Sequence, residues 1–431
     1  MQTSLQGIAN RASSHAKHRF GNLYGLLNEE NLKWCFYQLR KDAAPGVDRV
    51  DYYEYQKNLD ANIHALVERL KQKTYRAKLV RRRYIPKSSG KYRPLGIPVI
   101  EDKLLQLAVA KILSAIYEQD FLGWSYGYRE GIGPHNAVQD LTLDLQYGSF
   151  GWVVDADIRG FFDNIDHKWM IRMLEERIDD RAFINLIGKW LKAGILETDG
   201  KVLHPATGTP QGGIVSPVLA NIYLHYALDL WFEKRIKPEC HGKVRLTRYC
   251  DDFIVAFQYR READSFYRQL EKRLGKFGLE IAREKTQIIR FSRFKVTSNR
   301  GFDFLGFEFR WGINGQGNPQ VMRRTSRSRF RASLANVTEW IKKNRNQKIS
   351  KLFRTLASKY RGYWNYYGVR GNSASLRAFY YQSLCILFKW LNRRSQRRSY
   401  NWQGFMELLK HFSIPSPRIT EKSRIGKFTF A

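Results

Sequence analysis

The sequence predicts an α+β domain followed by an α-helical one, and three observations carry that expectation. Upstream of residue 312, helical periodicity alternates with short β-rich runs; downstream, every periodic segment is helical. Between them, GINGQGNP at 312–319 gathers three Gly, two Asn and a Pro, the composition of a turn or linker. Taken in order, apolar residues recur at helical spacing over 58–72, 101–117, 167–177, 181–193, 216–234 and 261–277. The β-rich runs lie at 80–86, 150–157, 246–257 and 287–294. Past the glycine-rich stretch, 327–344, 349–367, 375–394 and 401–411 read as the helices of a small bundle. The expected boundaries are an N-terminal extension over 1–56, a mixed domain over 57–312 and a helical domain over 313–431.

With 43% apolar residues, the chain can bury sizeable cores, so disorder does not describe it. Its 74 Lys and Arg against 40 Asp and Glu leave a net charge of +34, which calls for a polyanion partner, either nucleic acid or an anionic membrane surface. No apolar run reaches the roughly 20 residues of a membrane-spanning helix, and the N-terminus lacks the apolar core of a secretory leader. No membrane partner is therefore expected, and the expected compartment is cytoplasmic. Cys35, Cys240, Cys250 and Cys385 lie too far apart in sequence for a zinc module or a disulfide framework. No H-x-x-x-H pair occurs either, so a metal here would be held by oxygen. The charge is also uneven: residues 321–431 hold 25 Lys or Arg and three acids, a surplus of 22.

The sharpest local feature is RYCDDFIVAF at 248–257, where Asp251 and Asp252 sit between β-forming residues. Adjacent carboxylates at a tight turn repel and raise one another's pKa unless something neutralises them. A divalent cation would do so, although an ordinary Asp-Asp turn accounts for such a pair taken alone. A second segment, VVDADIRGFFDNIDH at 153–167, ends an apolar strand in acids, and strand alternation puts Asp155 and Asp157 on one face. One of these beside Asp251 and Asp252 would make a three-carboxylate site able to hold two Mg²⁺, the clamp for in-line phosphoryl transfer. Asp166 reads more simply as the N-cap of the helix that follows. IPKSSGKYRPLGIP at 85–98 reads as a hairpin whose tip presents Lys87, Lys91 and Arg93, a cluster suited to phosphate. GTPQGG at 208–213 sets a glycine-rich loop before a helix start, where exposed N–H groups favour an anion.

These strings, with GTPQGGIVSPVLANIYL, LEIAREKT at 279–286 and FDFLGF at 302–307, occur in an order that resembles the group II intron-encoded reverse transcriptases and maturases, over residues 31–419. Within that family it resembles the bacterial type lacking the endonuclease module. The resemblance implies a right-hand polymerase with fingers and palm upstream of the glycine-rich stretch and a helical thumb and maturase domain after it. It implies an RNA-directed DNA polymerase that uses two Mg²⁺ to add dNTPs to a primer 3′ end on an RNA template, and that binds a structured intron RNA to assist splicing and mobility. Asp157, Asp251 and Asp252 match the family's metal-binding acids, with Asp155 secondary, and Lys285 matches a lysine placed to protonate the departing pyrophosphate. Lys87, Arg93, Phe162 and Gln211 match nucleotide-binding positions. Phe162 would exclude a 2′-hydroxyl by bulk, while the neighbouring Phe161 fits the core. FDFLGF resembles the primer grip.

In the tail, aromatics interleave with base at 358–367, and Arg361, Arg393, Arg394, Arg397 and Arg398 are the expected RNA contacts. Tyr363, Trp364 and Tyr367 read more simply as bundle core. Two departures stand out: Cys250 replaces the usual Ala of the catalytic hairpin, and about a dozen residues follow Ile419, which leaves out the zinc-bearing endonuclease module. Bottom-strand cleavage is therefore not expected. Two other readings stay open, a splicing maturase with little polymerase activity and a polymerase recruited to another task such as antiphage defence. If the basic tail holds RNA, the combined change Arg393→Ala, Arg394→Ala, Arg397→Ala and Arg398→Ala should flatten the slope of log affinity against log salt by up to about 3. An unchanged slope would assign the binding charge elsewhere.

Overall fold

A computed structural model of the chain describes residues 1–86, 92–204, 206–209, 212–296, 300–394 and 399–421. The chain forms two compact units, residues 1–137 with 154–288 and residues 138–153 with 289–431. In chain order the strands are β1 (Val80–Pro86), β2 (Tyr92–Ile97), β3 (Trp152–Ala156), β4 (Ile195–Leu196), β5 (Val202–Leu203), β6 (Val244–Tyr249), β7 (Asp252–Phe257), β8 (Gln287–Arg290), β9 (Gly301–Phe304), β10 (Phe307–Ile313) and β11 (Pro319–Thr325).

The first unit is centred on the helix Ile100–Tyr117, whose Leu104, Leu105, Ala108, Val109, Ile112, Leu113, Ile116 and Tyr117 are all buried. A helix apolar on nearly every side has to lie inside. Residues of the expected N-terminal extension join the same unit's core, with Leu32, Cys35 and Phe36 fully buried on the helix Glu29–Phe36 that Asn28 caps. One sheet runs β2-β1-β4-β5, with β1 antiparallel to β2 and parallel to β4. The other runs β6-β7-β3-β8 and carries the acids. Its β6 and β7 pair antiparallel with Tyr249 opposite Asp252, so the hairpin turns on Cys250 and Asp251. Phe253 to Phe257 are buried without interruption, as a strand covered on both faces requires.

One helix departs from its sequence pattern. The expected 216–234 helix is α-helical over Ser216–Leu224, widens into π turns over His225–Asp229 and Phe232–Ile236, and closes with Lys237–Glu239. Such widening is concentrated at functional positions. The helices Gln2–Ser14 and Pro134–Tyr147, and the two-residue strands β4 and β5, were not visible in the periodicity.

The second unit holds the antiparallel meander β9-β10-β11 and the helices Arg327–Asn344, Ile349–Tyr367, Ser373–Leu391 and Trp402–His411. The glycine-rich stretch 312–319 forms the tip of the β10–β11 hairpin, with Ile313 opposite Pro319, and the units divide upstream of it, after Ile288. The tail aromatics are core: Tyr360, Trp364 and Phe379 are buried, Tyr363 stacks on Phe379 with centroids 3.9 Å apart, and the Tyr360 hydroxyl lies 2.7 Å from Ser383 Oγ. Arg327, Lys342, Lys351, Arg354, Lys359 and Arg361 remain exposed on the first two helices. All four cysteines are free, and among the described residues no helix is long and apolar enough to cross a membrane.

Candidate active site

Sheet geometry brings the predicted acids together. Asp155 lies within β3 and Asp157 just past its end, and β7, the neighbouring strand, begins at Asp252. Asp155 and Asp157 are both half-buried, and Gln287 Nε2 approaches Asp155 Oδ2 at 3.4 Å. Backbone ties fix Asp157: its carbonyl accepts from the Ala282 N–H at 2.8 Å.

The electrostatics are those of crowded anions. Desolvation pushes the Asp252 carboxyl up to about 7, helped by the negative charges of Asp251, Asp157 and Asp155. Asp252 is nevertheless accessible to solvent, so an ion could reach it. Asp251 is raised chiefly by burial and also by Asp157, while the cations of Arg93 and Arg248 oppose that shift. The influence of Arg93 on Asp251 puts a triphosphate-binding candidate, exposed on β2, in electrostatic reach of the acids.

Lys285 is already engaged. Its ammonium is ion-paired with Asp157 Oδ2, and that bond is the first cause raising the lysine's pKa. Among the described residues no three acid, His or Cys side chains are gathered tightly enough to hold an ion as they stand. The donor set still suits a hard divalent cation: it is all carboxylate, and burial first, with neighbouring negative charge after it, raises two of its members. One oxygen of Asp157, Oδ2, is already taken by the Lys285 ammonium.

The glycine-rich loop reaches the same region. The Thr209 N–H donates to the Phe162 carbonyl at 2.8 Å and the Gly208 N–H to the Ile165 carbonyl at 2.8 Å. Gly208 has a φ of +91°, and a Cβ there would stand 2.8 Å from the Asp163 carbonyl oxygen, so the approach requires glycine. Phe161 is buried and Phe162 only half-buried, their rings edge-to-face at 5.4 Å, as the sequence divided them. Asp166 caps the helix His167–Glu175, accepting from the Trp169 N–H at 2.9 Å. In the tail, Arg361 and Arg393 are exposed, whereas Arg394 donates to the Gln347 carbonyl and is partly committed to the fold. Lys87, Lys91, Gln211, Arg397 and Arg398 lie outside the described residues.

The sequence reading missed the surroundings of the hairpin. Arg248 and Asp229 are both fully buried and paired at 2.5 Å. Arg248 stands in the motif itself, but nothing in the local pattern points to a partner nineteen residues upstream.

Known proteins resemble the chain over much of its length. Residues 85–309 match the family model described as reverse transcriptase (RNA-dependent DNA polymerase). The group II intron-encoded protein LtrA of Lactococcus lactis is 30% identical over 88% of this chain and 75% of its own length. Protein YkfC of Escherichia coli is 30% identical over 68% of this chain and 83% of its own. Among solved structures, telomerase from Candida albicans, in complex with a fragment of telomeric RNA, overlaps 84% of this chain and 66% of its own at 12% identity and a TM-score of 0.45.

The Lys285 pairing has a measurable consequence. Lys285→Met should tighten Mn²⁺ binding to the nucleic-acid-free protein by about two- to fivefold, the worth of a partly exposed ion pair. Titration of the Mn²⁺ paramagnetic resonance signal reads this directly, and an unchanged affinity would mean that the ion does not meet Asp157.

Proposed function

Because the chain belongs to the reverse transcriptase family of group II intron-encoded proteins, we propose that it copies RNA into DNA by adding dNTPs to a primer 3′ end, with a structured intron RNA as a further partner. The observation that carries this reading is the meeting of Asp157, Asp251 and Asp252 at one end of a sheet, within electrostatic reach of Arg93. In this proposal the polymerase occupies residues 57–312, and residues 313–431 bind RNA.

Asp157, Asp251 and Asp252 would hold two Mg²⁺. Bound there, the ions would lower the charge on the attacking and departing oxygens. The primer 3′-hydroxyl gives its proton to solvent and its oxygen bonds the α-phosphorus of the dNTP; the bond broken is from that phosphorus to the oxygen bridging to the β-phosphorus, and pyrophosphate leaves. Arg93, with Lys87 by motif, would bind the triphosphate, a use of the guanidinium fork that suits phosphate oxygens. Phe162, half-buried and backed by Phe161, offers a ring against which a 2′-hydroxyl would find neither space nor partner. Lys285 holds its proton firmly at Nζ through Asp157, so donation to pyrophosphate follows only once that pairing is released. The exposed cations on the second unit's helices support RNA binding there.

Primer extension on an RNA template tests the polymerase directly. The double variant Asp251→Asn, Asp252→Asn should lose at least about a hundredfold in rate, while binding the RNA with unchanged affinity. Full incorporation by that variant would contradict the proposal.

A further inference from the structure

The turn that carries Asp251 and Asp252 is backed by a buried polar assembly whose side chains take no part in the proposed bond-making step. Arg248, the last residue but one of β6, is fully buried. Its Nε donates to Asp229 Oδ1 at 2.8 Å and its Nη2 to Asp229 Oδ2 at 2.5 Å, the bidentate fork that holds a guanidinium in one orientation. The same Nη2 donates to Ser125 Oγ at 2.6 Å. Its Nη1 donates to Asn221 Oδ1 at 3.1 Å and to the Cys250 carbonyl at 3.1 Å. Cys250 therefore has its backbone tied to a side chain that cannot move.

That tie sits at a strained point. Cys250 is the first turn residue of the β6–β7 hairpin and takes a φ of +58°, a left-handed conformation in which a non-glycine residue is unusual. Gly127 closes over it: a Cβ at Gly127 would collide with the Cys250 Sγ. Gly127 is itself held, its carbonyl accepting from Asn221 Nδ2 at 2.5 Å. Backbone bonds flank Arg248 as well, its N–H donating to the Trp124 carbonyl and its carbonyl accepting from the Tyr126 N–H, both at 2.9 Å.

The widened helix supplies the anchor. In an uninterrupted α-helix, Asp229 would be rotated about 80° from Asn221. The π turn over His225–Asp229 takes more residues per turn, and both side chains reach one guanidinium.

We propose that Arg248 is a positioning residue for polymerisation: anchored by Asp229 and Ser125, it holds the Cys250 carbonyl and so aims Asp251 and Asp252. This rests on the polymerase reading, and extension by the wild-type protein tests that reading separately. Arg248→Lys keeps the charge but loses the fork. The pair Arg248→Met with Asp229→Leu removes both charges without stranding either, a replacement that buried ion pairs commonly tolerate.

Two readouts separate positioning from folding. In either variant kcat should fall about 10- to 100-fold, with the KM for dNTP and the Kd for primer–template moving less than about twofold. Without any substrate, alkylation of Cys250, followed by peptide mass, should accelerate relative to Cys35, which is fully buried elsewhere in the same unit. Wild-type kcat in a folded variant overturns the proposal. So does an equal rise at Cys35 and Cys250, which would mean general loosening. If both variants unfold, Ser125→Ala removes a single anchor, and a few-fold fall in kcat supports the proposal where an unchanged value overturns it.

Discussion

Repulsion among carboxylates is the constraint on which the polymerase unit depends. Asp251 and Asp252 sit at a hairpin whose neighbouring strand delivers Asp155 and Asp157; burial pushes both carboxyls of the hairpin up, and the charge of the neighbouring acids adds to it. Like charges so placed need cations, and the fold supplies them at graded distance. Lys285 pairs directly with Asp157; Arg93 and Arg248 act on Asp251 from farther away. Arg248 is itself paired with Asp229, so the four acids outnumber the cations left to them.

Much of the remaining architecture serves to keep that arrangement rigid. The buried run Phe253 to Phe257 locks β7 into the sheet, so the hairpin cannot slide without exposing five core side chains. The helix Ser216–Leu224 and its π continuation deliver Asn221 and Asp229 beneath the turn. The glycine-rich loop leans on the backbone at Phe162 and Ile165, close to the acids in sequence and tied by two 2.8 Å bonds. Rigid carriers of this kind hold a reacting geometry better than loops alone.

What could be read beforehand follows from how local each signal is. The helices Arg327–Asn344 and Ile349–Tyr367 were legible to their ends, because periodicity continues to the last turn and a break follows. The acids were legible because strand alternation and an Asp-Asp turn are properties of a few adjacent residues. The Asp166 cap and the separation of Phe161 from Phe162 belong to the same class. Residues 216–234 read as one helix because the segment is buried on nearly every side, so no single apolar face is present whose rotation would reveal the π turn. The pairs Arg248–Asp229 and Lys285–Asp157 were not legible, since each joins residues that only the tertiary fold brings together. The two-residue strands β4 and β5 are too short to show a period.

The central claim is that the crowded acids are a cation site for nucleotide addition. Its most direct test is a crystal structure with primer, RNA template, an incoming dNTP and Mn²⁺, read by anomalous scattering. Two peaks about 3.5–4 Å apart, ligated by Asp157, Asp251 and Asp252, are expected, with Lys285 released from Asp157. A single ion held elsewhere, or an intact Lys285–Asp157 pair beside a bound dNTP, would contradict it.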